Sequence, residues 1–232
     1  MMPKPLRSTV FASAPFAAWM ALMFLVPSAS AWSYALRTAV SAVALVAAWV
    51  YFTRVESLES GLCAAGAVSP FRACLFGALT GAAVTVLWIA PEYIPFYRQW
   101  CVMGDVPSPC EAQSSPYDPA VCGWPLAALR LAGSAFVIAP AEELFFRAYL
   151  YRRLQSADWR SVNRRNFDLS AFLWTTGLFA LEHNRIAAAV MAGAFYLFAY
   201  RRFGFLCAAL AHVVTNLLLA VFVLRSGAWS FW

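Results

Sequence analysis

The chain has 232 residues, 62% of them hydrophobic and only 12% charged. A soluble domain usually carries about 25% charged residues. So few charges cannot clothe a water-facing surface, which excludes an independent soluble domain. The net charge of +6 does not mark a nucleic-acid face, because the basic residues stand at the ends of apolar runs, as they do in a protein whose partner is the lipid bilayer.

Apolar runs fall near 10–26, 38–52, 73–90, 124–149, 169–183, 186–200 and 203–224. A spanning helix needs about 20 mostly apolar residues, and flanks and tilt make up the shorter runs. The prediction is therefore all-α: one integral membrane domain over 1–232, a polytopic transmembrane bundle of about seven spanning helices. The start, Lys4 and Arg7 before the first run and Ala29-Ser30-Ala31 after it, has the pattern of a signal peptide. An uncleaved first helix is the preferred reading, since six further runs already commit the chain to the membrane. Trp32, Trp49, Tyr51, Trp88, Trp124 and Trp229 stand at run ends, as interface anchors do.

Alternating the runs puts Lys4, Arg7, Arg54, Arg72, Arg152, Arg153, Arg160, Arg164, Arg165, Arg201 and Arg202 on one side, and Arg37, Arg98, Arg185 and Arg225 on the other. Basic residues favour the cytoplasm, so the N-terminus is expected inside and the C-terminus outside a cell membrane, a bacterial inner membrane in this reading. Loop 91–123 then lies outside, with Glu92, Asp105, Glu111 and Asp118 against Arg98 alone. Two of Cys101, Cys110 and Cys122 could pair there, or all three remain thiols. Cys63, Cys74 and Cys207 lie in or beside helices, where Cys packs as a small hydrophobe.

Ionisable groups within the runs carry the functional signal, because each costs on the order of 2.5–3.5 kcal/mol near the bilayer centre. The fourth run contains Glu142, Glu143 and Arg147, the fifth ends in Phe179, Glu182 and His183, and the seventh holds His212 and Asn216. The chain's two histidines are both in this set. Glu143 and Arg147, four apart on a helix, can pair, while Glu142 is rotated about 100° away and left for chemistry. His212 and Asn216 share a face, and Phe179 can pack under His183. From the expected cytoplasmic ends, at about 1.5 Å per residue, Glu142 is about 12 Å deep, His212 about 13 Å, Asn216 about 20 Å and His183 about 22 Å. His183 fits one shared cavity least well and needs a kink or tilt. Pro140 is a place where the fourth helix could break.

The bland reading is a set of buried polar contacts that fixes helix packing. The sharper reading is hydrolysis by an activated water: a buried carboxylate as base, a histidine beside it, and a second imidazole and a carboxamide for an oxyanion. No serine nucleophile motif and no Gly-rich phosphate loop is present, and Cys207, five residues from His212, is off its face. Two His and a Glu could bind zinc, but not in the His-Glu-x-x-His spacing. A proton-coupled transporter would show inverted repeats, and none is visible.

Glu-Glu-x-x-x-Arg, Phe-x-x-x-His and His-x-x-x-Asn on successive apolar segments resemble the CAAX protease and bacteriocin-processing (Abi) family of glutamic-type intramembrane endopeptidases. The resemblance implies a catalytic core over about 124–224, with Glu142 as the water-activating base, His183 assisting, His212 and Asn216 as the oxyanion site, and Glu143 and Arg147 in support. It implies no cofactor or metal, and a protein or peptide substrate with a membrane-associated C-terminal segment. Ala148 stands where many members have Gly, and Glu182 is an added acid beside His183. Segments 87–92 and 227–232 resemble a bacterial branch associated with exosortase-type protein sorting; an aromatic belt explains the terminal Trp residues equally well. A non-enzymatic binding or immunity protein of the same fold is the alternative function.

Overall fold

A computed structural model describes residues 4–26, 30–55, 69–111 and 114–232. Among them the chain is all α, without a strand. Its helices are α1 (Lys4–Leu25), α2 (Ala31–Val50, widening to a π turn at Tyr51–Val55), α3 (Pro70–Ile89, closing in a 3-10 turn, Ala90–Tyr93), the short α4 (Pro95–Cys101) and α5 (Pro119–Cys122), the long α6 (Trp124–Gln155), α7 (Leu169–Leu181), α8 (Ile186–Phe203) and α9 (Phe205–Ser226). A 3-10 turn, Trp229–Phe231, ends the chain.

Six of these, α1, α2, α3, α6, α8 and α9, are long and apolar enough to cross a membrane, and α7 is apolar but shorter. The seven predicted runs thus correspond to seven apolar helices, six of full spanning length. The difference lies in α7, which leaves helical geometry at Glu182, before His183. The second run, 38–52, was read too short. The helix starts at Ala31, capped by the Ser30 hydroxyl, which accepts from the Ser33 N–H at 3.3 Å. Polar Ser33, Arg37, Thr38 and Ser41 hid its first turns. Arg37 is buried rather than in a loop, donating to the Val26 carbonyl at 2.6 Å.

α9 packs against α3, α8 and α6. Gly77 and Gly81 set its distance from α3. A Cβ at Gly77 would lie 2.9 Å from the Cys207 carbonyl; one at Gly81 would strike the Ala211 carbonyl and sit 2.8 Å from Val214 Cβ. This small-xxx-small stripe gives the close approach on which membrane helices rely. Gly204 alone, at φ +94°, reverses the chain between α8 and α9, a conformation that favours glycine.

α1 is part of the core. Phe16 stacks on Phe145 of α6 at 4.7 Å, and Phe11 on Tyr51 at 4.2 Å, so Tyr51 is buried rather than an interface anchor. At the Arg-rich end, guanidinium groups stitch loop 156–168 to the helices: Arg152 donates to the Val162 and Arg160 carbonyls, Arg164 to Arg201 and Arg201 to Arg165. The guanidinium spreads five N–H donors over a planar fork, which suits it to reach carbonyls at two positions at once.

Cys101, Cys110 and Cys122 are free thiols, and Cys63 lies outside the described residues. Cys207 is buried and donates to the Ala73 carbonyl, while Cys74 is exposed.

Candidate active site

The fourth apolar run does not break at Pro140. Instead α6 widens into π turns on both sides, at Ser134–Ile138 and Leu144–Leu150. Proline has no N–H to continue the regular ladder, and the π turns take up that loss while the helix continues. The Ala139 N–H reaches back to the Ser134 carbonyl, which also accepts from Asn216 Nδ2 at 2.9 Å. Between the π turns stands the one regular turn, Ala139–Glu143, that carries both glutamates.

The two carboxylates have different surroundings. The Glu143 side chain is 0% exposed, 3.3 Å from Arg147 Nη1 and 3.0 Å from His212 Nδ1. The Glu142 side chain keeps 11% exposure and lies 3.7 Å from His212 Nε2. His212 therefore stands between them, one ring nitrogen on each. Its plane is set by Tyr196, stacked at 4.5 Å and 22°, and by Phe179, edge-on at 6.0 Å. The Tyr196 hydroxyl donates to Thr215 Oγ1 at 2.8 Å, and Thr215 in turn bonds the Gly81 and Ala211 carbonyls at 3.0 Å each. Tyr196 and Thr215 were missed in the sequence. A Tyr in the interior of an Ala-rich run, away from the membrane ends where Tyr anchors, was the available signal.

Arg147 is buried as well, with its guanidinium over the Phe179 ring at 4.2 Å. The predicted Glu143–Arg147 pair is thus present, and the two neutralise each other inside the bundle.

His183 sits in the bend after α7. The Phe179 carbonyl lies 2.9 Å from its Nδ1. A carbonyl only accepts, so Nδ1 carries a proton and Nε2 keeps its lone pair in the neutral ring. Phe179 packs against the ring at 4.8 Å, as expected from the four-residue spacing, and Trp88 meets it edge-on at 5.3 Å. The end of α7 at Leu181 supplies the bend that the depth estimate for His183 required. Glu182 is exposed at this helix end.

The geometry thus joins Glu142, Glu143, Arg147 and His212 by direct polar contacts. His183 and Asn216 flank them and bond backbone carbonyls rather than Glu142. Among the described residues no group of three or more His, Cys, Asp or Glu has the arrangement of a metal site.

Residues 124–218, from the start of α6 into α9, match the family model described as type II CAAX prenyl endopeptidase Rce1-like. No curated protein and no solved structure matches the chain.

Proposed function

We propose that the chain is a membrane protease of the CAAX protease and bacteriocin-processing family, a glutamic-type endopeptidase that cuts a substrate protein with water activated by Glu142. The observation that carries this reading is the contrast between the two glutamates. Glu143 is sealed and paired with Arg147, whereas Glu142 keeps 11% exposure and faces His212 Nε2.

In the proposed reaction Glu142 takes a proton from water as its oxygen attacks the scissile carbonyl. His183, its Nδ1 hydrogen held by Phe179, offers the Nε2 lone pair to orient that water. The tetrahedral oxyanion accepts hydrogen bonds from His212 Nε2–H and Asn216 Nδ2–H. The C–N bond then breaks, and Glu142 returns its proton to the leaving amine. Nδ1 of His212 donates to Glu143, so an Nε2–H requires imidazolium, which the Glu143 carboxylate stabilises much as an aspartate does in a serine-protease triad. The distance of 3.7 Å between Glu142 and His212 exceeds a hydrogen bond, as is common before substrate tightens a site.

The family description names prenylated CAAX termini. We read the substrate accordingly as a protein whose C-terminal segment lies in or against the membrane, and the Arg distribution as setting the N-terminus in the cytoplasm, in a bacterial inner membrane. The test is reconstitution of the purified chain in liposomes with two peptides, one ending in a prenylated CAAX sequence and one ending in an apolar C-terminal helix. Mass spectrometry should find one internal peptide bond cut in at least one of them. Two intact peptides, with folded protein, would contradict the proposal.

A further inference from the structure

Two segments outside the catalytic motifs, 87–92 and 227–232, meet over His183. Glu92 belongs to the predicted outer loop, yet its side chain is 0% exposed. It pairs with Arg98 and, at 3.3 Å, with Arg185, two residues past His183. Arg98 also donates to the Val106 carbonyl at 2.6 Å. Arg185 turns its other nitrogens to the C-terminal turn: Nη1 donates to the Ser230 carbonyl at 2.9 Å and Nη2 to the Ser230 hydroxyl at 3.4 Å. Its guanidinium also lies over the Phe231 ring at 4.1 Å. Trp88 packs against the cluster of Leu219, Val223, Ala228 and Phe231, as do Trp229 and Trp232, and the same Trp88 meets the His183 ring. From the loop side, the Met103 N–H donates to the Asn184 carbonyl at 2.6 Å.

The stretch Glu182–Arg185 lies between α7 and α8, tied on the α7 side by the Glu182 N–H to the Phe179 carbonyl at 3.4 Å and the His183 N–H to the Ala180 carbonyl at 3.0 Å. Arginine stays charged in proteins, so a buried Arg185 needs its anion. Glu92 supplies it, and thereby ties the bend bearing His183 to the loop and to the end of the chain.

We propose that Glu92, Arg185 and the C-terminal turn Trp229–Phe231 form a strap that positions His183 and shields it on the Trp88 side. None of these is a catalytic residue; each acts through the placement of His183. The kinetic consequence rests on the peptidase reading, whereas the shielding does not.

The test therefore has two arms, both on the full chain. In the first, diethyl pyrocarbonate labels the purified protein in detergent, and mass spectrometry reads the two histidines separately. Glu92→Gln should raise the labelling rate of His183 by about tenfold, through local opening of the bend, while buried His212 stays as slow as in the wild type. Unchanged labelling of His183 would overturn the strap. Faster labelling of both histidines would also overturn it, since Glu92 would then support the whole fold. In the second arm, with a cleaved peptide, Glu92→Gln should lower kcat by up to about 10²-fold with KM nearly constant, as a misplaced group does. Glu92→Asp should recover part of the loss. A raised KM at full kcat would contradict positioning. If the wild type cuts nothing, the peptidase reading fails, and the labelling arm still decides the strap.

Discussion

His212 donates from Nδ1 to Glu143 at 3.0 Å, and this one bond decides that the opposite ring nitrogen faces Glu142. The fully buried glutamate therefore orients the imidazole, and the partly open one is the residue that the proposed reaction uses as its base. Arg147 completes the arrangement, with Nη1 3.3 Å from the same Glu143 oxygen.

Arg147→Met should destabilise the protein by about 3–5 kcal/mol, because Glu143 would remain as a buried charge without its cation. The double variant Arg147→Met/Glu143→Gln should recover much of that loss. Thermal unfolding in detergent reads both. A double variant less stable than Arg147→Met would show that the pair is not the source of the cost.

Tyr196 offers a separation of two contacts. Tyr196→Phe keeps the ring against His212 and loses only the hydrogen bond to Thr215, a change of about 1 kcal/mol in stability. Tyr196→Leu removes the flat face that sets the imidazole plane, and should lower kcat well below that of Tyr196→Phe. Equal kcat in the two variants would remove any role for the stacking.

Gly81→Leu should separate α3 from α9, since even a Cβ there meets the Ala211 carbonyl and Val214. Overpacking of this kind costs about 1–3 kcal/mol or more. It should also weaken catalysis, because Thr215, bonded to the Gly81 carbonyl, lies three residues from His212. Normal stability and rate in Gly81→Leu would show that the two helices are free to move apart.

The parts of the site legible in the sequence are those that break a rule. Glu142, Glu143, Arg147, His183 and His212 stood out because ionisable groups in apolar runs are costly, and the Glu143–Arg147 pair followed from helical spacing. The π turns around Ala139–Glu143 were not legible. A widened turn depends on tertiary contacts, such as the second hydrogen bond that Asn216 gives to the Ser134 carbonyl. Glu92 read as one of four acids in the outer loop, and its pairing with the buried Arg185 was not visible because the two are far apart in sequence. Gly77 and Gly81 were visible as letters, but the helix they meet was not. Trp88 and Trp229 read as interface anchors, and both are partly buried against the C-terminal cluster, a contact that the sequence did not show.

The most direct measurement is the rate of peptide cleavage in liposomes by Glu142→Gln beside Glu143→Ala and the wild type. Loss of a general base lowers the rate by about 10²–10⁴-fold. Glu142→Gln should show that loss with an unchanged melting temperature, and Glu143→Ala should retain more activity. Wild-type turnover by Glu142→Gln, or a Glu143→Ala protein slower than Glu142→Gln, would contradict the assignment of Glu142 as the residue that activates water.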